Sequence, residues 1–427
     1  MPNAEPTRGL LPLAILAAAV GAVAGLVGAG FRLLLIRAEG LRGAAILSAH
    51  DWGVIGFLGV VGVISVLAAV AASLVRRLAP DASGSGIPHV EAVLRKETAA
   101  APLILVPVKF FGGIMAIGSG LALGREGPSV QMGATLAHLM GRLTRRDASD
   151  CLALLAAGAG AGLATAFNSP IGGAVFVLEE LVRRFDTRIT IATFAASAAA
   201  ISVSRVALGD APDFAVAPIG YVGFAGLPIH FVLGAALGLI GVAYSRTILG
   251  CLAATDRLSR WPVEARAAAI GAAVGVVAWF APQWVGGGDP LTQATLSGSL
   301  AGPAILAALF CRFLLGPVSY AAKTPGGLFA PLLVIGAQIG ALAGLASEIF
   351  ATAPLDGRAL AVVGMAAFFT AVVRAPLTGI VLVIEMTGTF TLLLPMLCAC
   401  FPAMLVPTLL GEPPIYDSLS RPRSQGD

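Results

Sequence analysis

Gly124-Arg125-Glu126-Gly127-Pro128-Ser129-Val130-Gln131 follows residues 107–123, an apolar, glycine-studded run whose one charge is Lys109. A glutamate in such a setting is costly, so it is expected to face a cavity or a partner and to serve a function. Gly124 and Gly127 allow a sharp turn and a close backbone approach. Pro128 suits the first turn of a helix, where a missing N–H costs nothing. The amides of Arg125, Glu126 and Gly127 would then stand at the positive end of a helix dipole, a ready anion site. A carboxylate beside that site can take the anion's place.

Working outward, the chain has 427 residues, of which 57% are hydrophobic and 12% charged, with a mean hydropathy of +0.91. An average soluble domain carries about 25% charged residues, so this is read as a polytopic, all-helical membrane protein. Spanning helices need ~20 apolar residues. Residues 10–36 and 54–75 are the clearest candidates; 189–208, 229–248, 267–281 and 360–373 are shorter or interrupted. With 53 glycines and 27 prolines, many helices should be broken, and broken helices survive in a membrane where they line a cavity or are buried in protein. That points to transport. The net charge of +4 implies no nucleic-acid partner. Arg76-Arg77, Arg142, Arg145-Arg146, Arg183-Arg184 and Arg188 mark candidate cytoplasmic ends.

Residues 1–8 read as a polar N-terminal tail, 9–411 as one membrane domain, and 412–427 as a C-terminal tail carrying Tyr416. No cleavable signal peptide or appended soluble domain is expected. Residues 209–226 read as a connection between halves at about 9–208 and 227–411. These halves resemble one another. Gly124, Pro128 and Gly133-Ala134 recur 203 residues later as Gly327, Pro331 and Gly336-Ala337. Pro170, Gly173, Val177 and Glu179 recur 206 residues later as Pro376, Gly379, Val383 and Glu385, and Gly158 and Ala161 as Gly364 and Ala367. Repeated halves with interrupted helices place a substrate site between them near the midplane; the repeat alone leaves its parallel or inverted sense open.

Further segments carry candidate chemistry. In Gly84-Ser85-Gly86-Ile87-Pro88, Ser85 suits an N-cap and Pro88 a first helical turn. An ordinary cap is the plainer reading; the alternative sets the hydroxyl and the following amides on an anion. Gly326-Gly327-Leu328-Phe329-Ala330-Pro331 offers the amides of Leu328 and Phe329 at another helix start, or simply a glycine hinge. Of Glu179-Glu180, one acid is expected to be a solvated helix end and the other a proton acceptor near the cytoplasmic face. Glu91, a turn beyond Pro88, could be its hydrogen-bond partner or a surface acid. Lys109 either raises the local potential for anions or snorkels to an interface. Tyr416 alone reads as an interfacial anchor. The four histidines and five cysteines show no metal or disulfide spacing, so no metal, cofactor or enzymatic constellation is expected.

Gly84-Ser85-Gly86-Ile87-Pro88, Gly124-Arg125-Glu126-Gly127-Pro128, Gly327-Leu328-Phe329-Ala330-Pro331 and the late Tyr416 together resemble, in order and spacing, the signature of the CLC family of chloride channels and chloride/proton exchangers. The likeness extends through Ala166-Phe-Asn-Ser-Pro170 and Arg374-Ala-Pro-Leu-Thr-Gly379 and covers nearly the whole chain. The resemblance implies an inverted repeat of tilted and broken helices, a homodimer with one pathway per subunit, and a multi-pass place in a bacterial inner (plasma) membrane. It implies chloride on the Ser85 and Tyr416 hydroxyls and the amides of Leu328 and Phe329. Glu126 would be the gate and external proton-transfer group, Glu180 the internal one, with Glu91 and Lys109 supporting. Asp417 and Arg184 depart from the family pattern beside their motifs. The expected function is exchange of chloride for protons, the alternative a passive chloride channel of the same fold. A fluoride exporter is disfavoured by Ser85.

Overall fold

The structure, a computed structural model, describes residues 9–220, 223–350 and 356–420. The tail 1–8 and residues 421–427 of the C-terminal tail lie outside them. The described chain is helical throughout: α1 (Leu10–His50), α2 (Gly53–Leu78), α3 (Ile87–Leu94), α4 (Leu105–Ser119), α5 (Glu126–Leu143), α6 (Ala148–Phe167), α7 (Pro170–Phe176), α8 (Thr187–Leu208), α9 (Leu227–Arg257), α10 (Val263–Phe280), α11 (Asp289–Leu296), α12 (Gly302–Tyr320), α13 (Phe329–Phe350), α14 (Gly357–Val373), α15 (Pro376–Thr387), α16 (Leu393–Leu409) and α17 (Ile415–Ser420). Among the described residues nine helices are long and apolar enough to cross a membrane.

Helices α1–α8 correspond one to one with α9–α16, and α17 stands outside the repeat. Each half is closed by the same small-residue contacts. A Cβ on Gly21 of α1 would strike the backbone of Ala196 on α8, and a Cβ on Gly234 of α9 would strike that of Ala399 on α16. Gly133 and Gly158 press α5 against α6 as Gly336 and Gly364 press α13 against α14. In lipid, where apolar side chains gain little by leaving their surroundings, such close backbone approach is a main source of helix association. Termination repeats as well. Asn168 (φ 48°) ends α6 and Arg374 (φ 71°) ends α14, both left-handed, and a proline opens the next helix. Asparagine tolerates that conformation; for arginine it is uncommon.

The halves are inverted and meet head to head. Gly124 and Gly327, equivalent in the repeat, exchange both backbone hydrogen bonds, at 2.8 and 2.7 Å, in an antiparallel bridge. Helices α5 and α13 both start two residues after this bridge. The inversion also relates Gly84-Ser85-Gly86-Ile87-Pro88 to Gly286-Gly287-Gly288-Asp289-Pro290, a match too weak in side chains to be read from sequence. Gly84 and Gly86 have φ of 60° and 81°, Gly286 and Gly288 of 73° and 97°, and each loop opens a short helix, α3 or α11.

Helices α6 and α14 form the centre. In α6, 94% of the apolar window is buried, against 22% in α2. This explains why α6 did not stand out by hydropathy: a helix wrapped by helices needs small residues, not lipid-facing bulk. Helix α1 runs on to His50, well past the expected end at residue 36. Residues 412–420 are not a free tail, because α17 packs inward with Ile415 and Tyr416 fully buried.

Candidate ion pathway

Three glycine loops converge where the halves meet. Besides the Gly124–Gly327 bridge, Gly84 N–H donates to the Thr324 carbonyl (3.0 Å) and Gly326 N–H to the Gly84 carbonyl (3.1 Å). A Cβ at Gly124 would displace the Glu126 carboxylate from where it lies, and one at Gly327 would also press on the Gly127 backbone nitrogen at 2.9 Å. A Cβ on Gly127 would stand 2.7 Å from the Ser85 hydroxyl oxygen, which places Ser85 against the start of α5.

Glu126 is fully buried at the first position of α5. Its Oε1 accepts a hydrogen bond from the Phe329 amide at 2.7 Å, and its Oε2 is buried without a partner. Phe329 opens α13, so the carboxylate rests on the positive end of a helix from the other half. The amide is held in place through its ring, which lies edge-on to Phe369 (centroids 4.6 Å) and Phe176 (5.6 Å) and tilted against Tyr416 (5.9 Å). The Tyr416 hydroxyl is buried and makes no well-formed hydrogen bond among the described residues. Tyr416 is therefore no interfacial anchor; the single-residue reading fails because α17 folds back against the start of α13. Ser85 is not the cap of α3 either. Gly86 holds that position, and the Ser85 hydroxyl accepts only a long bond, 3.4 Å, from the Ile87 amide.

Lys109 does not snorkel. It is fully buried, and its ammonium donates to the carbonyls of Ala82 (3.0 Å) and Gly84 (2.8 Å). It thus fixes the loop that carries Ser85. Arg312, 203 residues later and also buried, does the same for the equivalent loop, donating to the carbonyls of Gly286 (2.7 Å) and Gly287 (3.0 Å).

Arg125 precedes Glu126 and commits its whole guanidinium to neighbours. Nε donates to the Ala166 carbonyl (2.8 Å), Nη1 to Asp289 (2.5 Å) and Nη2 to Asp213 (3.0 Å), and Arg32 holds the other oxygen of Asp213 (2.6 Å). Sequence reading named Arg125 and missed Arg32, Asp213 and Asp289. Asp213 lies in the connection 209–226, where an acid in a loop carries no signal of a partner 88 residues away.

At the other end, Glu180 is buried in a π turn, Val177–Leu181; such turns recur at functional sites. Glu179 is not a solvated helix end. It accepts from the Leu377 amide (3.0 Å) and from the Thr378 amide and hydroxyl (both 2.7 Å), capping α15. Its repeat equivalent, Glu385, accepts from the amides of Ile171 (3.2 Å) and Gly172 (2.8 Å) and from the Ser169 hydroxyl, capping α7. Glu91 is fully buried, so it is no surface acid. Nor is it hydrogen-bonded to Glu180 among the described residues; it pairs with Arg95 at 3.4 Å.

The family description "Voltage gated chloride channel" matches residues 67–408. The chain is 34% identical over 423 residues to the H(+)/Cl(-) exchange transporter ClcA of Citrobacter koseri, covering 96% of this chain and 89% of the relative. It superposes on a slow cyanobacterial Cl-/H+ antiporter with a TM-score of 0.89 and 28% identity, covering 96% and 97% of the two chains. A CLC-type fluoride/proton antiporter shares the fold, with a TM-score of 0.80 at 21% identity, covering 94% and 96%.

Proposed function

The chain belongs to the voltage-gated chloride channel (CLC) family, and from that premise we propose how its residues exchange chloride for protons across a membrane. The observation that carries the proposal is the Glu126 carboxylate on the Phe329 amide. A group with two anionic oxygens fills a place where a helix start favours negative charge. Chloride binds that Phe329 amide and the neighbouring Leu328 amide, together with the hydroxyls of Ser85 and Tyr416. The Tyr416 hydroxyl, buried without a partner, is a donor in want of an acceptor. Neutral donors hold a partly dehydrated anion without a full positive charge, so it can also leave.

Ionised, Glu126 competes with chloride for the site. Protonated, it loses the attraction of the amides, swings away and admits chloride, moving a proton in the same act. Glu180 exchanges protons with the inner solution along a route that diverges from the chloride route. Two chains form a homodimer with one pathway in each.

Chloride and proton fluxes recorded together from purified protein in liposomes test this. The wild type should move protons against their gradient when driven by chloride. Glu126→Gln resembles the protonated form and cannot ionise, so it should pass chloride passively, with little dependence on pH and no proton movement. A mutant that still pumps protons would remove Glu126 from the gate. A wild-type reversal potential blind to the proton gradient would make the chain a passive channel.

A further inference from the structure

The inner acids sit in a cluster of charges whose members come from three separate segments. Glu91 and Arg95 lie at α3, with Glu97 just beyond; Glu179, Glu180 and Arg183 follow α7; Asp417 lies on α17. Arg183 is the hub. Its guanidinium forks onto both Asp417 oxygens, at 2.7 and 3.2 Å. The same group stands 3.6 Å from Glu180 Oε1, too far for a hydrogen bond, and that oxygen is buried without a partner. Arg183 Nε meanwhile donates to the backbone carbonyl of Glu180 at 3.2 Å. The guanidinium is tethered beside Glu180 yet turned to Asp417. Its backbone is left-handed (φ 54°), uncommon for any residue but glycine. Arg95 lends Asp417 a second cation at 3.5 Å while holding Glu91.

We propose that Arg183 and Asp417 are positioning residues for inner proton exchange: one guanidinium, shared between Asp417 and Glu180, sets how readily Glu180 takes a proton. This rests on the reading of Glu180 as the inner proton-transfer group. Burial works against the Asp417 carboxylate, but the hydrogen bond and charge of Arg183, with Arg95, hold its pKa below the usual range. Asp417 therefore stays charged at neutral pH and keeps drawing the fork away from Glu180. A carboxylate that shares its nearest cation with a second carboxylate favours the protonated form more than one holding that cation alone. Because Asp417 adjoins Tyr416, whose ring rests against Phe329, the pair also ties the inner acid to the segment carrying a chloride ligand.

The signs follow. Removing the Asp417 charge frees Arg183 for Glu180 and stabilises its carboxylate, so proton delivery should require lower pH. Removing the Arg183 charge leaves Glu180 facing Asp417 without a cation, so protonation should persist to higher pH. The test is chloride-driven proton flux from the full chain in liposomes over a pH series, each variant read against wild type. The midpoint should move down by about one unit in Asp417→Asn and up by about one unit in Arg183→Gln, with Arg183→Lys between Arg183→Gln and wild type. A merely structural role would lower both amplitudes without moving the midpoints in opposite directions. Midpoints that stay put or move together overturn the proposal. Should Asp417→Asn fail to fold, the sign in Arg183→Gln decides: upward supports, absent or downward overturns. Glu180→Gln run alongside separates the two levels. Full proton flux in that variant, or none in wild type, overturns the assignment of Glu180 and this proposal with it. A silent Glu180→Gln with unshifted midpoints overturns this proposal alone.

Discussion

Ser85 and Lys109 belong to one loop, Ser85 by its hydroxyl and Lys109 by holding the backbone. The Ser85 hydroxyl has only a 3.4 Å bond to the Ile87 amide and stays available to an anion. Proline there removes the hydroxyl and reshapes the helix start, and in the family that the chain resembles it goes with nitrate preference. Ser85→Pro should raise the nitrate-to-chloride flux ratio, measured by anion substitution in liposomes; an unchanged ratio in folded protein would remove Ser85 from the ligand set. Lys109 acts one step back, through the carbonyls of Ala82 and Gly84. Lys109→Met keeps the stem but strips the Ala82 carbonyl of its ammonium donor and leaves the Gly84 carbonyl with the Gly326 amide alone, at a cost of about 1–3 kcal/mol. Thermal unfolding in detergent should show that loss, and chloride affinity should fall because the Ser85 loop is no longer held.

Among the elements, α7 and α15 exchange caps across the repeat. Glu179, from the segment after α7, satisfies the start of α15, and Glu385, on α15, satisfies the start of α7. Each carboxylate serves orphan amides at the positive end of a helix. Glu179→Ala and Glu385→Ala should each cost about 1–2 kcal/mol, seen as similar falls in melting temperature. A large difference between them would contradict the equivalence of the caps. The exchange also separates neighbouring acids. The oxygens of Glu179 are committed to Leu377 and Thr378. Glu179→Gln should stay proton-coupled, whereas Glu180→Gln should pass chloride with proton flux at background; the reverse result would exchange their roles.

For the whole molecule, inversion brings two helix starts together and leaves the Glu126 carboxylate of one half on an amide of the other. A homodimer of such chains should work as two separate pathways. A tandem of wild type and Glu126→Gln should therefore show roughly half the proton flux of a wild-type tandem, and complete loss would mean the pathways are shared. The sequence by itself determined the membrane class, the repeated halves, the three glycine loops and the acid at their centre. Those are local properties: apolar runs, turn chemistry and a charge misplaced in an apolar stretch are all legible along the chain. The repeat was legible where side chains as well as backbone recur, whereas Gly286-Gly287-Gly288 matches Gly84-Ser85-Gly86 in backbone shape alone and escaped notice. Only the tertiary structure decided that Glu126 rests on Phe329, that Tyr416 and Lys109 are buried, that Glu179 is a cap, and that Asp213 and Asp289 hold Arg125. Each is a contact between residues far apart in sequence. A side chain's hydrogen-bond partner depends on the distance across the fold, which its own neighbours in the chain do not encode.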